Sequence, residues 1–259
     1  MTTNVEAIPT SMGQIEIQKD GDGSQTVIFM HGIFMDRSLW SSLYPQSPLR
    51  RHIYLDMPGH GNSENVGRRW TLDDCTTMIF EVMDKVHISE AILIGHSWGA
   101  MTALQAAIKR PNRVVSLGLF NMPHRRISGT YRIGFRLQKF LVRFPNFYAS
   151  QAAKSLYSPA FLNAHPDIVV ALQRRLRKRP SKELARLIDA VLLLPTDMTS
   201  LIAKLAVPAT FVIGEQDYVG QPIPMSATVI PGGHISPSES PSETRELVEH
   251  AIGQRKECF

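Results

Sequence analysis

The stretch AILIGHSWG (residues 91–99) decides the fold prediction. Its first four residues are apolar without alternation, which is typical of a strand that helices cover on both faces of a parallel sheet. The chain leaves this strand through Ser97, which stands between Gly95 and Gly99. Such spacing predicts a turn so tight that glycines are needed to avoid clashes around a strained serine backbone. The stretch therefore predicts a strand, a sharp turn that raises the Ser97 hydroxyl above the sheet, and a following helix.

Strand and helix patterns alternate on both sides of this stretch. Strands are predicted at 14–18, 25–30, 52–56, 113–120, 209–214 and 226–231, and helices at 72–86, 100–110 and 241–253. This alternation implies an α/β fold with a doubly wound, mostly parallel sheet flanked by helices. The last helix is expected to begin with a capping box from Ser240 to Glu243, with Pro241 at its first position.

Between the strands at 113–120 and 209–214 the chain has helical patterns and no strand pattern. One apolar helix face is formed by Ile133, Leu137, Phe140, Leu141 and Phe144. A second helix is predicted over 167–179, and a third after it, capped by Ser181. We interpret residues 122–206 as an all-helical cap inserted into an α/β core of residues 1–121 and 207–259.

Composition limits the class of protein. The 259 residues fit one large domain or a core with an inserted subdomain, and 43% hydrophobic and 20% charged residues are ordinary for a soluble globular protein. Apolar runs are far shorter than the roughly 18 residues of a membrane span, and the first residues do not resemble a secretory signal. With only Cys75 and Cys258 available, we expect no structural disulfide and a cytoplasmic location.

The net charge of +5 is distributed unevenly. Residues 123–205 hold fifteen Lys and Arg against four Asp and Glu, a surplus of eleven positive charges. A positive stripe beside the apolar face is formed by Arg132, Arg136, Lys139 and Arg143. Each arginine alone is best interpreted as part of a solvated face, but the surplus favours attraction of anionic ligands: an acyl carrier protein, coenzyme A, a carboxylate-bearing ester or an anionic membrane. Nucleic acid is not expected, because stacking aromatic residues are not interleaved.

A serine nucleophile needs a base, an orienting acid and an oxyanion site. His234 in PGGHIS follows the last predicted strand, and Asp217 in GEQD follows the strand before it, which gives the chain order Ser, Asp, His. The N–H groups of Ile33 and Trp98 are candidate oxyanion donors. For Asp217 the alternative is a turn-forming residue.

Four apolar side chains are candidates for a substrate pocket, with simple core packing as the alternative: Phe34, Met122, Phe135 and Phe147. His31, Asp56 and His60 are expected to hold loops together instead of taking part in chemistry.

Five motifs together resemble the α/β-hydrolase fold family: HG (31–32), DMPGHGNS (56–63), GHSWG (95–99), GEQD (214–217) and GGH (232–234). They follow the family's order over most of residues 12–253, while the predicted cap matches no motif. The resemblance implies Ser97 as nucleophile, His234 as base and Asp217 as acid. The chain departs from the family between Asp217 and His234, where YVGQPIPM contains two prolines and no regular helix is expected.

These observations predict a serine hydrolase that cleaves a small carboxylic ester or lactone through an acyl-enzyme, with no cofactor or metal implied. The alternatives are a thioesterase or acyltransferase acting on an acyl carrier or a coenzyme A thioester, and cofactor-free lyase or oxygenase chemistry. A further alternative is that the protein is not an enzyme but a receptor, which binds a ligand without converting it.

Overall fold

The computed structural model describes residues 4–44, 49–125, 129–194, 197–219 and 227–254. Its strands form one eight-stranded sheet: β1 (Asn4–Thr10), β2 (Gly13–Asp20), β3 (Gln25–Met30), β4 (Arg50–Leu55), β5 (Ala91–His96), β6 (Val114–Phe120), β7 (Ala209–Gly214) and β8 (Thr228–Ile230). Their spatial order is β1-β2-β4-β3-β5-β6-β7-β8. The β1–β2 and β2–β4 pairs are antiparallel, and every pair from β4 to β8 is parallel. The predicted doubly wound, mostly parallel sheet is confirmed.

The helices within the described residues are α1 (Ser38–Ser41), α2 (Leu72–Lys85), α3 (Trp98–Lys109), α4 (Gly129–Leu141), α5 (Pro145–Leu156), α6 (Pro159–Ala164), α7 (Asp167–Arg177), α8 (Ser181–Ile188), α9 (Thr199–Ile202), α10 (Ser236–Glu239) and α11 (Pro241–Gly253). A short 3-10 turn precedes β6, and a π-helical turn extends α8. No helix of the described residues is long and apolar enough to cross a membrane.

The sheet is covered by helices on both faces because its central strands are apolar on both sides. Along β3, Ile28 and Met30 belong to the core cluster that includes α2 and α3. Val27 and Phe29 alternate with them and belong to the cluster that includes α1 and α11. Successive residues of a strand point to opposite faces, so an unbroken apolar run requires two helical layers.

The parallel strands determine where a site can form. β3, β5, β6, β7 and β8 all run in the same direction, so the loops that follow them meet at one edge of the sheet. All six residues of β5, at the centre, are buried. Ser97, which follows β5, therefore lies in the middle of that edge.

Several details differ from the sequence prediction. The strand β1 was not predicted, because it is an edge strand with mostly exposed residues and offers little apolar alternation. Ser181 is the first residue of α8, and Pro180 takes the cap position without a side-chain bond. Ser240 does precede α11, but its hydroxyl donates to the Pro231 carbonyl at 2.8 Å, and no capping bond forms.

Cys258 and the proline-containing linker from 220 to 226 lie outside the described residues.

All of the helices from α4 to α9 lie between β6 and β7, in agreement with the helical pattern of that segment. The apolar residues of α4 do not all pack inward. Phe135 and Leu141, with Val142 just beyond the helix, contact the core, whereas Ile133 and Leu137 are exposed. Since helix residues three, four and seven apart share a face, α4 has one buried face and a second apolar face in solvent.

Candidate active site

Ser97 occupies the turn between β5 and α3. Its φ of 52° and ψ of −112° form a conformation that is strained for any residue but glycine. A Cβ at Gly95 would lie 2.4 Å from the Ala100 nitrogen, and a Cβ at Gly99 would lie 2.4 Å from the Met30 carbonyl oxygen. Both positions therefore require glycine, and the turn holds the Ser97 side chain at the N-terminus of α3.

Three side chains that are far apart in sequence form a hydrogen-bonded chain at this edge. The Ser97 Oγ lies 2.8 Å from His234 Nε2. His234 Nδ1 lies 3.0 Å from both carboxylate oxygens of Asp217. An imidazole that donates from Nδ1 to a carboxylate accepts at Nε2, so this arrangement orients the ring to take the Ser97 hydroxyl proton.

The loop that carries His234 is fixed by hydrogen bonds on both sides. The Glu239 carboxylate accepts from the Gly233 N–H at 2.9 Å and from the Ser158 N–H at 3.2 Å. His96 Nε2 lies 2.7 Å from the His234 carbonyl oxygen and, as an N–H, donates to it. Sequence reasoning missed Glu239, whose sequence signal is only an acid five residues after the candidate base.

Asn121 is a second site residue that the sequence patterns did not single out. It follows β6, has a φ of 51° and is fully buried. Its Nδ2 donates to Asp217 Oδ2 at 2.9 Å, and its Oδ1 accepts from the Ser236 hydroxyl at 2.7 Å. Val219 N–H donates to the other Asp217 oxygen at 2.9 Å. The Asp217 carboxylate is therefore held in one orientation from several directions.

The loop after β3 lies directly against the serine turn. A Cβ at Gly32 would lie 3.0 Å from the Cβ of the serine, so only glycine allows this approach. His31 Nε2 accepts from the Met57 N–H at 2.9 Å, and His60 Nε2 accepts from the Phe34 N–H at 3.0 Å. Both histidines hold loops together, as predicted.

The two candidate oxyanion donors belong to the residues that follow Gly32 and Ser97, which lie against each other. Ile33 lies between Gly32 and Phe34 in the loop after β3, and Trp98 is the first residue of α3. Because the Phe34 N–H already donates to His60, it does not serve as a donor to substrate in this arrangement. Ile33 and Trp98 stay the predicted pair.

The four predicted pocket residues are found in different environments. Phe34 and Met122 are buried, and the Phe34 ring meets Tyr148 edge to face at 5.6 Å. Phe135 is half-buried against the main core. Phe147 is 54% exposed and is not part of the buried core. It points outward because the next residue, Tyr148, takes the buried position on α5.

The predicted positive stripe is broken by local pairing. Lys139 forms an ion pair with Asp189 at 2.6 Å, and Arg132 donates to a backbone carbonyl at 3.0 Å. Of the four, Arg136 and Arg143 are exposed, whereas Arg132 and Lys139 are partly buried. A continuous stripe of four free cations is therefore not present on α4.

Burial in the low-dielectric core lowers the pKa of four histidines: His31, His52, His60 and His96. The pKa of His96 falls to about 3 and that of His52 to about 4, because their charged forms lose solvation. In the unfolded chain these histidines bind protons near pH 6.5. Their contribution to the free energy of unfolding is therefore fully present above that pH and is lost as the pH falls towards their pKa values in the folded protein.

We expect the free energy of unfolding to fall between pH 6.5 and 4 by up to about 1.4 kcal/mol per pH unit for each such histidine. Urea unfolding at several pH values measures this slope. The His52→Phe variant, which removes one titration, should have a smaller slope than the wild type. The Ser116→Ala variant, which changes a buried side chain without removing a titrating group, serves as the control and should keep the wild-type slope. Equal slopes in the His52→Phe and wild-type proteins would contradict the assignment.

The chain matches the family model described as "Alpha/beta hydrolase family" over residues 27–247. It is 35% identical over 118 residues to a dihydrolipoyllysine-residue acetyltransferase component of an acetoin cleaving system from Pseudomonas putida, a match that covers 44% of this chain. The chain spans only 32% of that relative's length. It is 22% identical over 262 residues to the strigolactone esterase RMS3 of Pisum sativum, covering 92% of this chain and 96% of that protein.

The fold also matches solved structures over nearly the whole chain. The enol-lactonase from Burkholderia xenovorans LB400 superposes with a TM-score of 0.83 and 17% identity, covering 96% of this chain and 100% of the other. At this level of identity the match concerns the fold alone.

Proposed function

Because the chain belongs to the alpha/beta hydrolase family, we propose that it hydrolyses a carboxylic ester or lactone through an acyl-enzyme formed on Ser97. One observation carries the proposal: Ser97 Oγ, His234 and Asp217 form a continuous hydrogen-bonded chain of 2.8 and 3.0 Å. A buried serine that is hydrogen-bonded to an imidazole and a carboxylate is the arrangement that activates a hydroxyl for acyl transfer. The esterase name of the relative that matches over most of its length agrees with this chemistry.

In the first half of the reaction, His234 Nε2 takes the Ser97 proton while Oγ attacks the carbonyl carbon of the ester. Asp217 keeps the imidazole in the tautomer with the proton on Nδ1 and stabilises its charged form. The alkoxide leaving group receives the proton from His234, which leaves the acyl group on Ser97. A lactone follows the same course, except that its leaving group stays attached to the acyl chain.

In the second half, water takes the place of the alcohol. His234 takes a proton from water as the oxygen attacks the acyl carbon, and returns it to Ser97 Oγ. The negative oxygen that develops in both halves would be stabilised by the N–H groups of Ile33 and Trp98. Each such donor contributes on the order of a hundred- to a thousand-fold in rate.

We further propose that residues 122–206 act as a cap that controls access to Ser97. The serine is only 4% exposed, so access to it is restricted in this structure. The segment contacts the loops around the site through two arginines. Arg175 pairs with Asp36 at 2.7 Å, and Arg179 donates to the Gly61 carbonyl at 2.7 Å.

The proposed nucleophile is tested with a fluorophosphonate probe and intact-mass measurement. We expect one covalent adduct on the wild-type protein, located on the peptide that contains Ser97, and none on Ser97→Ala. The Ser155→Ala variant, which removes a serine hydroxyl on α5, should label like the wild type. Labelling of Ser97→Ala, or no labelling of the wild type, would reject the proposal. Rates across p-nitrophenyl esters of graded chain length and a panel of lactones then define the acyl group.

A second candidate is acyl transfer or thioester hydrolysis on a carrier or on coenzyme A. The observations that favour it are the eleven surplus positive charges of residues 123–205 and the acetyltransferase-component name of one relative. Acyl-CoA substrates distinguish the two candidates. A thioesterase or transferase would have a higher kcat/KM for acyl-CoA than for the oxygen ester of the same acyl chain, and a transferase would pass the acyl group to an added thiol or alcohol.

A further inference from the structure

Helix α4 has an apolar face that the fold does not use. The exposed side chains on this face are large: Ile133 is 67% exposed, Leu137 56%, Phe140 51% and Phe144, just beyond the helix, 54%. The rings of Phe140 and Phe144 lie 5.8 Å apart, so these two side chains form a continuous patch. Four neighbouring large apolar side chains in solvent usually indicate a binding surface.

The packing of α4 on the rest of the protein depends on its other face. Phe135, Leu141 and Val142 pack against the core. Lys139 pairs with Asp189, and the Gln138 side chain accepts from the Tyr148 hydroxyl at 2.9 Å. The helix is therefore held in place without its exposed apolar residues. Their size must be explained by something other than folding.

Positive charge lies directly beside this apolar face. Arg136 and Arg143 are exposed and flank it on one side, and neither forms an ion pair with the residues that the structure describes. The Arg143 guanidinium lies 5.4 Å from the centre of the Phe140 ring. No Asp or Glu occurs in the sequence from 121 to 166. The surface that contacts this patch must therefore be apolar in part and negatively charged in part.

We propose that the α4 surface, consisting of Ile133, Leu137, Phe140 and Phe144 with Arg136 and Arg143, binds the surface of an anionic lipid bilayer. A helix with apolar side chains on one face and cations at its border lies in the plane of the membrane interface. The apolar side chains enter the boundary between headgroups and acyl chains, and the guanidinium groups contact lipid phosphates. This binding does not depend on the proposed ester hydrolysis.

A second copy of the chain fits this surface less well. In a twofold contact the same patch meets itself, so Arg136 and Arg143 of both copies would be brought together. With no acid on α4 or α5 to offset them, the four guanidinium groups would repel one another. An anionic bilayer provides the opposite charge and the apolar phase together.

The test is flotation of the full chain with two kinds of vesicle, phosphatidylcholine alone and phosphatidylcholine with about 30% phosphatidylglycerol. The buffer contains about 0.1 M salt, at which electrostatic interactions extend over about 10 Å. We expect binding to the anionic vesicles to be at least about tenfold tighter than to neutral vesicles. Arg136→Gln with Arg143→Gln should abolish that difference. Leu137→Gln with Phe140→Gln should weaken binding to anionic vesicles about tenfold or more.

Matched controls come from other exposed positions. Val170→Gln removes an exposed apolar side chain of α7, and Lys154→Gln removes an exposed cation of α5, and both should bind like the wild type. Ser97→Ala should also bind normally, which separates this proposal from the proposed function. Equal binding to both kinds of vesicle, or none, overturns the proposal. So does a dimer in sedimentation equilibrium that Leu137→Gln dissociates, or binding to an acidic acyl carrier protein without binding to vesicles.

Discussion

Replacing Ser97 with alanine, or His234 with alanine, is expected to lower kcat for the best ester substrate about a million-fold. The physical reason is that the two side chains act as one unit: the hydroxyl is a weak nucleophile until the imidazole, 2.8 Å away, removes its proton. Losing either partner therefore removes the whole covalent pathway. The double variant should be almost no slower than either single one, because the second substitution removes nothing that still functions. Steady-state rates of the three variants measure this.

The control for this prediction is Ser116→Ala, which removes another buried serine hydroxyl, one that donates to the Ala251 carbonyl at 2.6 Å. Its kcat should stay within about threefold of the wild type, although its unfolding midpoint should decrease as expected for one lost hydrogen bond. Ser97→Ala keeps the strained backbone, because alanine also has a Cβ, so its unfolding midpoint should change by no more than one lost hydrogen bond explains. A loss of only tenfold in kcat for Ser97→Ala would reject the covalent mechanism.

Replacing Asp217 with asparagine is expected to lower kcat about ten-thousand-fold. The amide group can donate to His234 Nδ1, which favours the tautomer with its proton on Nε2. That tautomer donates to Ser97 Oγ instead of accepting from it, so the base is lost while the geometry is kept. The effect should appear in kcat with KM nearly unchanged, because the carboxylate contacts the imidazole and not the substrate.

Asn121 gives this prediction an internal check. We expect it to act as a positioning residue through Asp217, to which it donates at 2.9 Å. Asn121→Ala should lower kcat about tenfold, as expected for one lost hydrogen bond to a buried carboxylate, with KM unchanged. In the Asp217→Asn background the same substitution should have almost no further effect on kcat. If Asn121→Ala lowers the rate equally in both backgrounds, its role is structural and separate from Asp217.

Local sequence patterns were sufficient to place the strands from β2 to β8 and the helices α2, α3 and α11 along the chain. The runs at 25–30, 91–95 and 209–214 are apolar on both faces, which is a property of the residues themselves and does not depend on their neighbours in space. The same holds for the serine turn, because a Cβ at Gly95 or Gly99 would clash and only glycine allows so tight a turn. Patterns failed at β1, which lies at the sheet edge and needs no apolar alternation.

The three residues chosen from sequence for the site lie within hydrogen-bonding distance of one another, since each follows a parallel strand and such strands end at the same edge. Their supporting contacts did not follow from sequence. Asn121 and Glu239 are ordinary polar residues in loops, and only the folded chain brings Asn121 to a residue 96 positions away. Long-range side-chain contacts of this kind have no periodic signal.

The sequence by itself therefore determined the α/β architecture, the strained serine turn and the chain order Ser, Asp, His, because these depend on residue type and local spacing. Only the tertiary structure decided which face of α4 packs inward, which of the four cations beside it are paired, and how deeply Ser97 is covered. The physical reason is that burial and pairing depend on what the rest of the chain brings into contact. Lys139 is neutralised by Asp189, 50 residues away, while Arg136, three residues before it, stays in solvent.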